Sequence, residues 1–322
     1  MAQELHVVCG GAGCIGSELV RALLAQGHKV RVLDNLSTGR IEHLQEFMDN
    51  PNFYFRQMDA GAGWGPAGLA VEFSGGVHMV WHLAAKTDIK FTEGYNYDAD
   101  LGDNLITTWA VLRVMRAKQI KRLAFASSAA VYGDYPVLIE DTVMPEPVSM
   151  YGATKLACEA IIRAMAFRTG MQAWIFRYCS IVSRKARKSG NMVIPDLIHK
   201  LRRDPTQLEI LGDGNQTKPS LLVDECVEAM LYIVNHVKDP VSIHNIGAAD
   251  TISVTRQAEL ICAAMGLDGV KFNYTGGTGG WPGDVPSFRM DVQKLGHAGW
   301  RAKHTSEQAV KIAICGLLES GE

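Results

Sequence analysis

Short apolar runs and helix-spaced apolar residues take turns along the first half of the chain. Residues 5–8 are mostly apolar, 15–24 repeat apolar positions at helical spacing, and 30–33 return to a short apolar run. That order predicts strand, helix and strand, and a crossover unit of about 30 residues within one sheet makes the two strands parallel. Further strand-like runs fall at 53–55, 77–83, 122–126 and 173–177, with helical patterns at 98–117 and 151–168 between them. Such alternation predicts an α/β fold built on a Rossmann-type, doubly wound parallel sheet. Past residue 178 the alternation weakens into a basic stretch at 184–188, a helical pattern at 194–201 and a glycine-rich segment at 276–283. The expected organisation is a sheet domain over 1–178 and a smaller lobe over 179–322 laid across the sheet's carboxyl edge. Segments near 220–248, with a helix at 223–234 and a strand at 243–246, are expected to return to the sheet. No internal repeat or low-complexity tract interrupts the pattern.

Length and composition narrow the class. The 322 residues, 47% hydrophobic and 20% charged, correspond to roughly two domains with an ordinary core. Thirty-two basic against 34 acidic residues leave a net charge of −2, too little positive charge for a dedicated nucleic-acid binder. Cys9, Cys14, Cys158, Cys179, Cys226, Cys262 and Cys315 are odd in number and scattered, with no C-x-x-C pair. They argue against a disulfide framework or a zinc site and for a reducing compartment. No apolar run reaches about 18 residues, and nothing signal-like precedes the first strand, so a cytoplasmic protein without a membrane partner is expected. Glycine is the one skewed residue, 32 in all, and thirteen of them fall in 10–16, 61–68 and 276–283.

Several residues carry chemistry. Gly10, Gly13 and Gly16 form G-x-x-G-x-x-G between a strand and a helix, where backbone N–H groups and missing side chains admit a pyrophosphate. Asp34 ends the second strand 18 residues beyond Gly16, placed to accept hydrogen bonds from ribose hydroxyls and to repel a 2′-phosphate. That favours NAD, while Arg40 nearby keeps NADP open. Asp59, just past the third strand, either caps an adenine or serves as a turn residue. Tyr151 and Lys155 in MYGATK stand four apart, on one helix face. A phenol near pKa 10 is a poor base, but a neighbouring ammonium and a positive nicotinamide ring favour the phenolate. A Tyr-x-x-x-Lys pair alone fits a plain surface helix as well; the upstream glycine turn and the serines of FASSAAVYG give it meaning. Ser128 can hydrogen-bond a substrate oxygen as its proton leaves, completing a Ser, Tyr, Lys set.

With these residues in view, the chain resembles the extended short-chain dehydrogenase/reductase family, in particular its NAD-dependent, UDP-glucose 4-epimerase-like nucleotide-sugar epimerases and dehydratases. The resemblance runs nearly end to end through CGGAGCIGS, VLDNLSTGR, HLAAK, DNLITT, SSAAVYG, YGATK, FRYCSIV, GDGNQTKPSLLVDE and GWPGDVP. It implies that 1–178 bind NAD and that 179–322 mainly bind substrate. Gly10, Gly13, Cys14, Ile15 and Gly16 would hold the pyrophosphate, with Asp34, Asn35, Ser37, Thr38, Gly39, Asp59 and Ala60 around the adenosine. Leu83, Ala84, Ala85, Lys86, Asn104, Ser127, Tyr151, Lys155, Tyr178 and Cys179 would complete the cofactor site. Lys86, Ser128, Tyr151, Ser180, Asn191, Lys218 and Trp281 would meet a nucleotide sugar, a UDP-sugar foremost. Relatives commonly dimerise through a four-helix bundle, for which 98–117 and 151–168 are the candidates.

The resemblance also bears on the reaction. In the family, removal of the sugar 4-hydroxyl proton by the Tyr151 position accompanies hydride loss from C4. Dehydratases then use an Asp-Glu pair after the catalytic Thr, and UDP-glucuronate decarboxylases a Glu before V-Y-G; here those positions are Ala129 and Ala130. The implied outcome is 4-epimerisation of a UDP-hexose or UDP-hexuronate with NAD regenerated each turnover. The alternatives are a dehydratase or other NAD(P)-dependent sugar oxidoreductase, and a non-enzymatic NAD sensor, which usually lacks Tyr-x-x-x-Lys. Some positions depart from the pattern. Ser180 and Ser183 replace Asn and Gly, and Gly279, Gly280 and Trp281 stand where relatives carry a diphosphate-gripping Arg. Lys218, or Arg184, Lys185, Arg187 and Lys188, can supply the missing charge, unless that basic run is a solvated loop. Trp281 stacks on a base or packs the lobe. Cys179 has no visible partner to lower its pKa, and 61–68 reads as a loop near the adenine edge.

Overall fold

The structure is a computed structural model that describes residues 2–61, 66–87, 96–185, 192–281 and 283–320. Seven strands make the central sheet: β1 (Leu5–Cys9), β2 (Lys29–Asp34), β3 (Phe53–Gln57), β4 (Val77–His82), β5 (Arg122–Ser128), β6 (Gln172–Tyr178) and β7 (Val241–Ile246). They lie in the order β7, β6, β5, β4, β1, β2, β3, all paired in parallel. The α/β architecture is therefore the doubly wound one. Strand order reverses beside β1, where chains of this kind open a crevice at the carboxyl ends of the strands. Cys9 sits opposite both Leu33 and His82, so three strand ends meet at that crevice.

Burial explains which runs became central strands. Val7, Val8, Ala124, Phe125, Ile175 and Phe176 are all fully buried, as expected for strands covered on both faces. Edge strand β3, by contrast, leaves Tyr54 47% exposed. One sheet face packs on α1 (Cys14–Ala25) and α5 (Val223–His236) through Leu19, Trp81, Trp174 and Met230. The other packs on α2 (Thr107–Ala117) and α3 (Met150–Thr169) through Leu112, Met115, Phe125 and Ile162. The smaller lobe has its own core, including Ile194, Leu197, Ile210, Ile261 and Val310, among α4 (Val193–Arg203), α6 (Val254–Ala264) and α7 (Ser306–Glu319).

Two regions refine the sequence pattern. The helical stretch at 98–117 is continuous but not uniform: Tyr97–Asp100 leads into a π-helical turn at Leu101–Ile106 before α2 begins. Asn104 lies in this turn and is buried. The strand expected at 243–246 pairs with β6 at the sheet edge, Ile243 opposite Ile175. A chain segment beyond residue 178 thus supplies an outer strand of the main sheet.

Candidate active site

The crevice begins at the glycine turn between β1 and α1. Gly10 has φ +83°, and a Cβ there would stand 2.5 Å from the Ala84 backbone nitrogen. A Cβ on Gly16 would overlap the Gly10 carbonyl, so α1 starts pressed against the turn. Gly13 caps α1 without a side-chain bond. The first-turn amides of α1 are thereby left for a ligand, and Gly13, Cys14, Ile15 and Gly16 line the cavity beside them. Asp34 closes β2; its Oδ2 accepts from Ala12 N (2.9 Å) and its Oδ1 from Leu36 N (2.8 Å). This carboxylate lines a side cavity of about 90 Å³ together with Asn35, Ser37, Thr38, Gly39, Asp59, Ala60, Ala84 and Lys86. Asp59 also accepts from Gly61 N (2.8 Å), acting as a turn residue at the cavity wall. Arg40 lies 3.8 Å from Glu42 and lines neither described cavity. A side-chain-free cradle, helix amides and an acid at the end of β2 fit a dinucleotide without a 2′-phosphate.

The main cavity, about 390 Å³, runs from this cradle into the smaller lobe. Its inner wall holds Ser128 at the end of β5 and Tyr151 and Lys155 from the first turns of α3. Ser149 starts that helix by accepting from Gly152 N (3.1 Å). Gly152 lets α3 approach the turn after Ser128, since a Cβ there would overlap the Ala130 carbonyl. Ser128 Oγ accepts from Ala130 N (3.2 Å), which leaves its hydroxyl proton to donate. Lys155 is 2% exposed; its Nζ donates to Ala126 O (2.7 Å) and lies 4.7 Å from the Phe125 ring and 6.0 Å from the Tyr151 ring. Burial lowers the Lys155 pKa to about 8, while Cys158 and Glu159 act to raise it. Burial pushes the Cys179 thiol up to about 12, so it holds its proton at neutral pH.

Side chains from several segments make the outer end. Ser180, Lys185, Lys200, Glu209, Gln216, Lys218, Trp281 and Asp284 all line it. Lys218 Nζ donates to the buried Asp284 carboxylate at 2.6 Å and lies 5.3 Å from the Trp281 ring. Lys185 pairs with Glu18 (2.8 Å) and Lys200 with Asp196 and Glu209 (3.2 Å each). Lys218 thus sits in the cleft as the sequence suggests, but already matched by an acid.

Every residue singled out for the cofactor lines one of the two cavities except Asn104. Asn104 works from behind: its Oδ1 accepts from Lys86 N (3.0 Å), and its Nδ2 donates to Thr154 Oγ1 (3.1 Å). Among the substrate candidates Lys86 lies at the side cavity, and Asn191 falls outside the described residues, as do Arg187, Lys188, Gly63 and Gly65. Thr87, Asp103, Met192, Gln257 and Asp284 line the cavities without having been singled out. Asp103 and Asp284 sit inside quoted motifs, DNLITT and GWPGDVP; Met192 and Gln257 have no local signal. Far away, at the amino-terminal edge of the sheet, Glu4, His6 and His28 place ligand atoms within 4.8 Å of one another. Trp81 Nε1 donates to His6 Nδ1 (3.1 Å) and Glu4 N to His28 Nδ1 (3.3 Å). In the neutral rings both bonds leave the proton on Nε2, which is then a donor and not a metal ligand.

The model of the NAD dependent epimerase/dehydratase family matches residues 6–247, and the chain belongs to that family. It is 29% identical over 312 residues to a protein of Methanocaldococcus jannaschii with the provisional name UDP-glucose 4-epimerase, covering 96% of each. It is 26% identical to the UDP-glucose 4-epimerase of Corynebacterium glutamicum, covering 94% of this chain and 92% of that one. A crystal structure of UDP-galactose 4-epimerase superposes with a TM-score of 0.84 at 30% identity, covering 98% of this chain and 99% of the other.

Proposed function

We propose that this chain is a nucleotide-sugar 4-epimerase acting on a UDP-hexose or UDP-hexuronate, with NAD retained through turnover. The observation that carries the reading is one cavity wall on which Ser128, Tyr151 and Lys155 adjoin the glycine cradle, with Ala129 and Ala130 as the next side chains. The names of the relatives, UDP-sugar 4-epimerases among them, support the same class. When bound, NAD supplies reversible hydride acceptance at sugar C4. Tyr151 takes the 4-hydroxyl proton, and the Ser128 hydroxyl donates to the same oxygen. The Lys155 ammonium, fixed by the Ala126 carbonyl, stabilises the phenolate by its charge. Ala129 and Ala130 offer no acid for elimination or decarboxylation, so the ketose turns over in the cavity and is reduced on its other face. The wall at Lys218, Trp281 and Asp284, with Ser180, receives the nucleotide end.

The test is incubation with UDP-glucose, UDP-N-acetylglucosamine and UDP-glucuronate without added reductant, followed by NMR. The expected product is a 4-epimer of at least one of them; a 4-keto-6-deoxy sugar or released CO₂ overturns the reading.

The same reading extends to assembly and location. Phe167 on α3 is 93% exposed and Trp109 on the neighbouring α2 36% exposed, which supports a homodimer packed through these helices. Light scattering should give twice the chain mass, reduced to one chain by Phe167→Glu. All seven cysteines are free and Cys315 is exposed, in keeping with a reducing, cytoplasmic setting. No helix among the described residues is long and apolar enough to cross a membrane.

A further inference from the structure

We propose that Glu159, locked to Arg177, is a positioning residue that sets the catalytic helix α3 against the strand carrying Ser128. Glu159 lies four residues beyond Lys155 and eight beyond Tyr151, on the same helix face. Arg177 on β6 grips it with both ends of its fork, Nε to Oε1 at 3.0 Å and an Nη to Oε2 at 2.7 Å. The two side chains are 3% and 2% exposed. Ser127 Oγ donates to the same carboxylate, and Lys155 Nζ donates to Ala126 O. Helix α3 is therefore bolted to β5 at two consecutive residues directly before Ser128. The network continues to the far side of the active-site turn. The Arg177 guanidinium lies 4.6 Å from the Tyr132 ring, Tyr132 donates to Asn245 Oδ1 (2.8 Å), and Asn245 Nδ2 donates to Leu138 O (3.0 Å).

A buried ion pair is a poor source of net stability, because desolvating both charges offsets much of their attraction; an apolar pair of similar volume often does as well or better. Its bidentate geometry does something an apolar pair cannot: it fixes distance and rotation between two elements. The reaction needs that, since about 1 Å of misplacement can cost a hundredfold in rate. Glu159 also acts by charge. Lys155 is faced by Tyr151, Cys158 and Glu159 from α3, by His82 from β4, and by the Phe125 ring and Ala126 carbonyl from β5. Glu159 favours the ammonium against the desolvation that lowers its pKa to about 8.

The inference rests on the Ser128, Tyr151, Lys155 reading, and the experiment separates the two. Initial rates and pH profiles of UDP-sugar 4-epimerisation are measured for the wild type, Tyr151→Phe, Glu159→Gln and Ser127→Ala, with thermal melts and bound-NAD content as controls. Glu159→Gln should lower kcat by about 10- to 100-fold at unchanged KM and NAD content. Its alkaline limb should move to lower pH than that of the wild type, because the carboxylate that favours the Lys155 ammonium is gone, a shift that partial unfolding does not produce. If Glu159→Gln does not fold, Ser127→Ala decides: it removes one hydroxyl and should lower kcat about tenfold. Wild-type kcat and pH profile in the folded variant, with Tyr151→Phe inactive, overturn the positioning role alone. Undiminished turnover by Tyr151→Phe overturns the triad reading and this inference with it.

Discussion

At the glycine turn the cleft brings backbone to its wall, whereas at its outer end the wall is side chains drawn from scattered segments. Gly10, Gly13 and Gly16 bring main chain and helix amides to the cavity, and the tight fit of Gly10 against Ala84 leaves no slack. The outer end relies on Lys185, Lys200, Lys218, Trp281 and Asp284, with each lysine matched to an acid from another element. A backbone site is specified by a few contiguous residues and tolerates little change. A side-chain site can be retuned one residue at a time, which suits a family that keeps one cofactor and varies its sugars.

Three outcomes can break that contrast, the largest first. Gly10→Ala should abolish cofactor retention, because the new Cβ meets backbone and the φ of +83° disfavours a side chain. Absorbance of NAD released from the denatured purified protein checks this; a Gly10→Ala enzyme that keeps NAD would show the cradle to be as adaptable as the outer end. Lys218→Met should raise KM for UDP-sugars by roughly tenfold, the worth of one charged hydrogen bond, and leave NAD content alone. Loss of NAD in that variant would mean the two ends are coupled.

The third outcome concerns acid. Burial holds His6 and His82 at about 3 and His244 at about 4, all on strands of the main sheet. The unfolded chain takes up these protons near 6.5, while the folded chain refuses them until pH is far lower. Stability is therefore untouched by them above about 6.5 and falls as pH drops toward 3, by about 1.4 kcal/mol per histidine per pH unit. Acid denaturation of His6→Gln, followed by circular dichroism, should show a shallower loss than the wild type. An unchanged slope would remove the sheet as the acid-labile region.

How much of this was legible in the sequence varies along the chain for the same reason. Strands β1, β2, β5 and β6 lie close to their apolar runs because central strands bury both faces and need little context to be seen. The π-helical turn at Leu101–Ile106 carries no periodic signal that distinguishes it from the α-helix around it. Asn104, which the family resemblance places among the cofactor residues, lines neither described cavity and instead bonds Lys86 and Thr154, partners that sequence spacing does not reveal. Glu159 and Arg177 look in sequence like an ordinary helix acid and a strand base, and only their meeting under the active site gives them a task.

The glycine turn, the acid at the end of β2 and the Tyr-x-x-x-Lys helix could be read directly, because each works through groups within a few residues of one another. The strand order, the partner strand that Val241–Ile246 pairs with at the sheet edge, and the pairing of Lys218 with Asp284 could not. Those depend on contacts between residues far apart in the chain, and sequence spacing holds no record of which distant surfaces burial will press together.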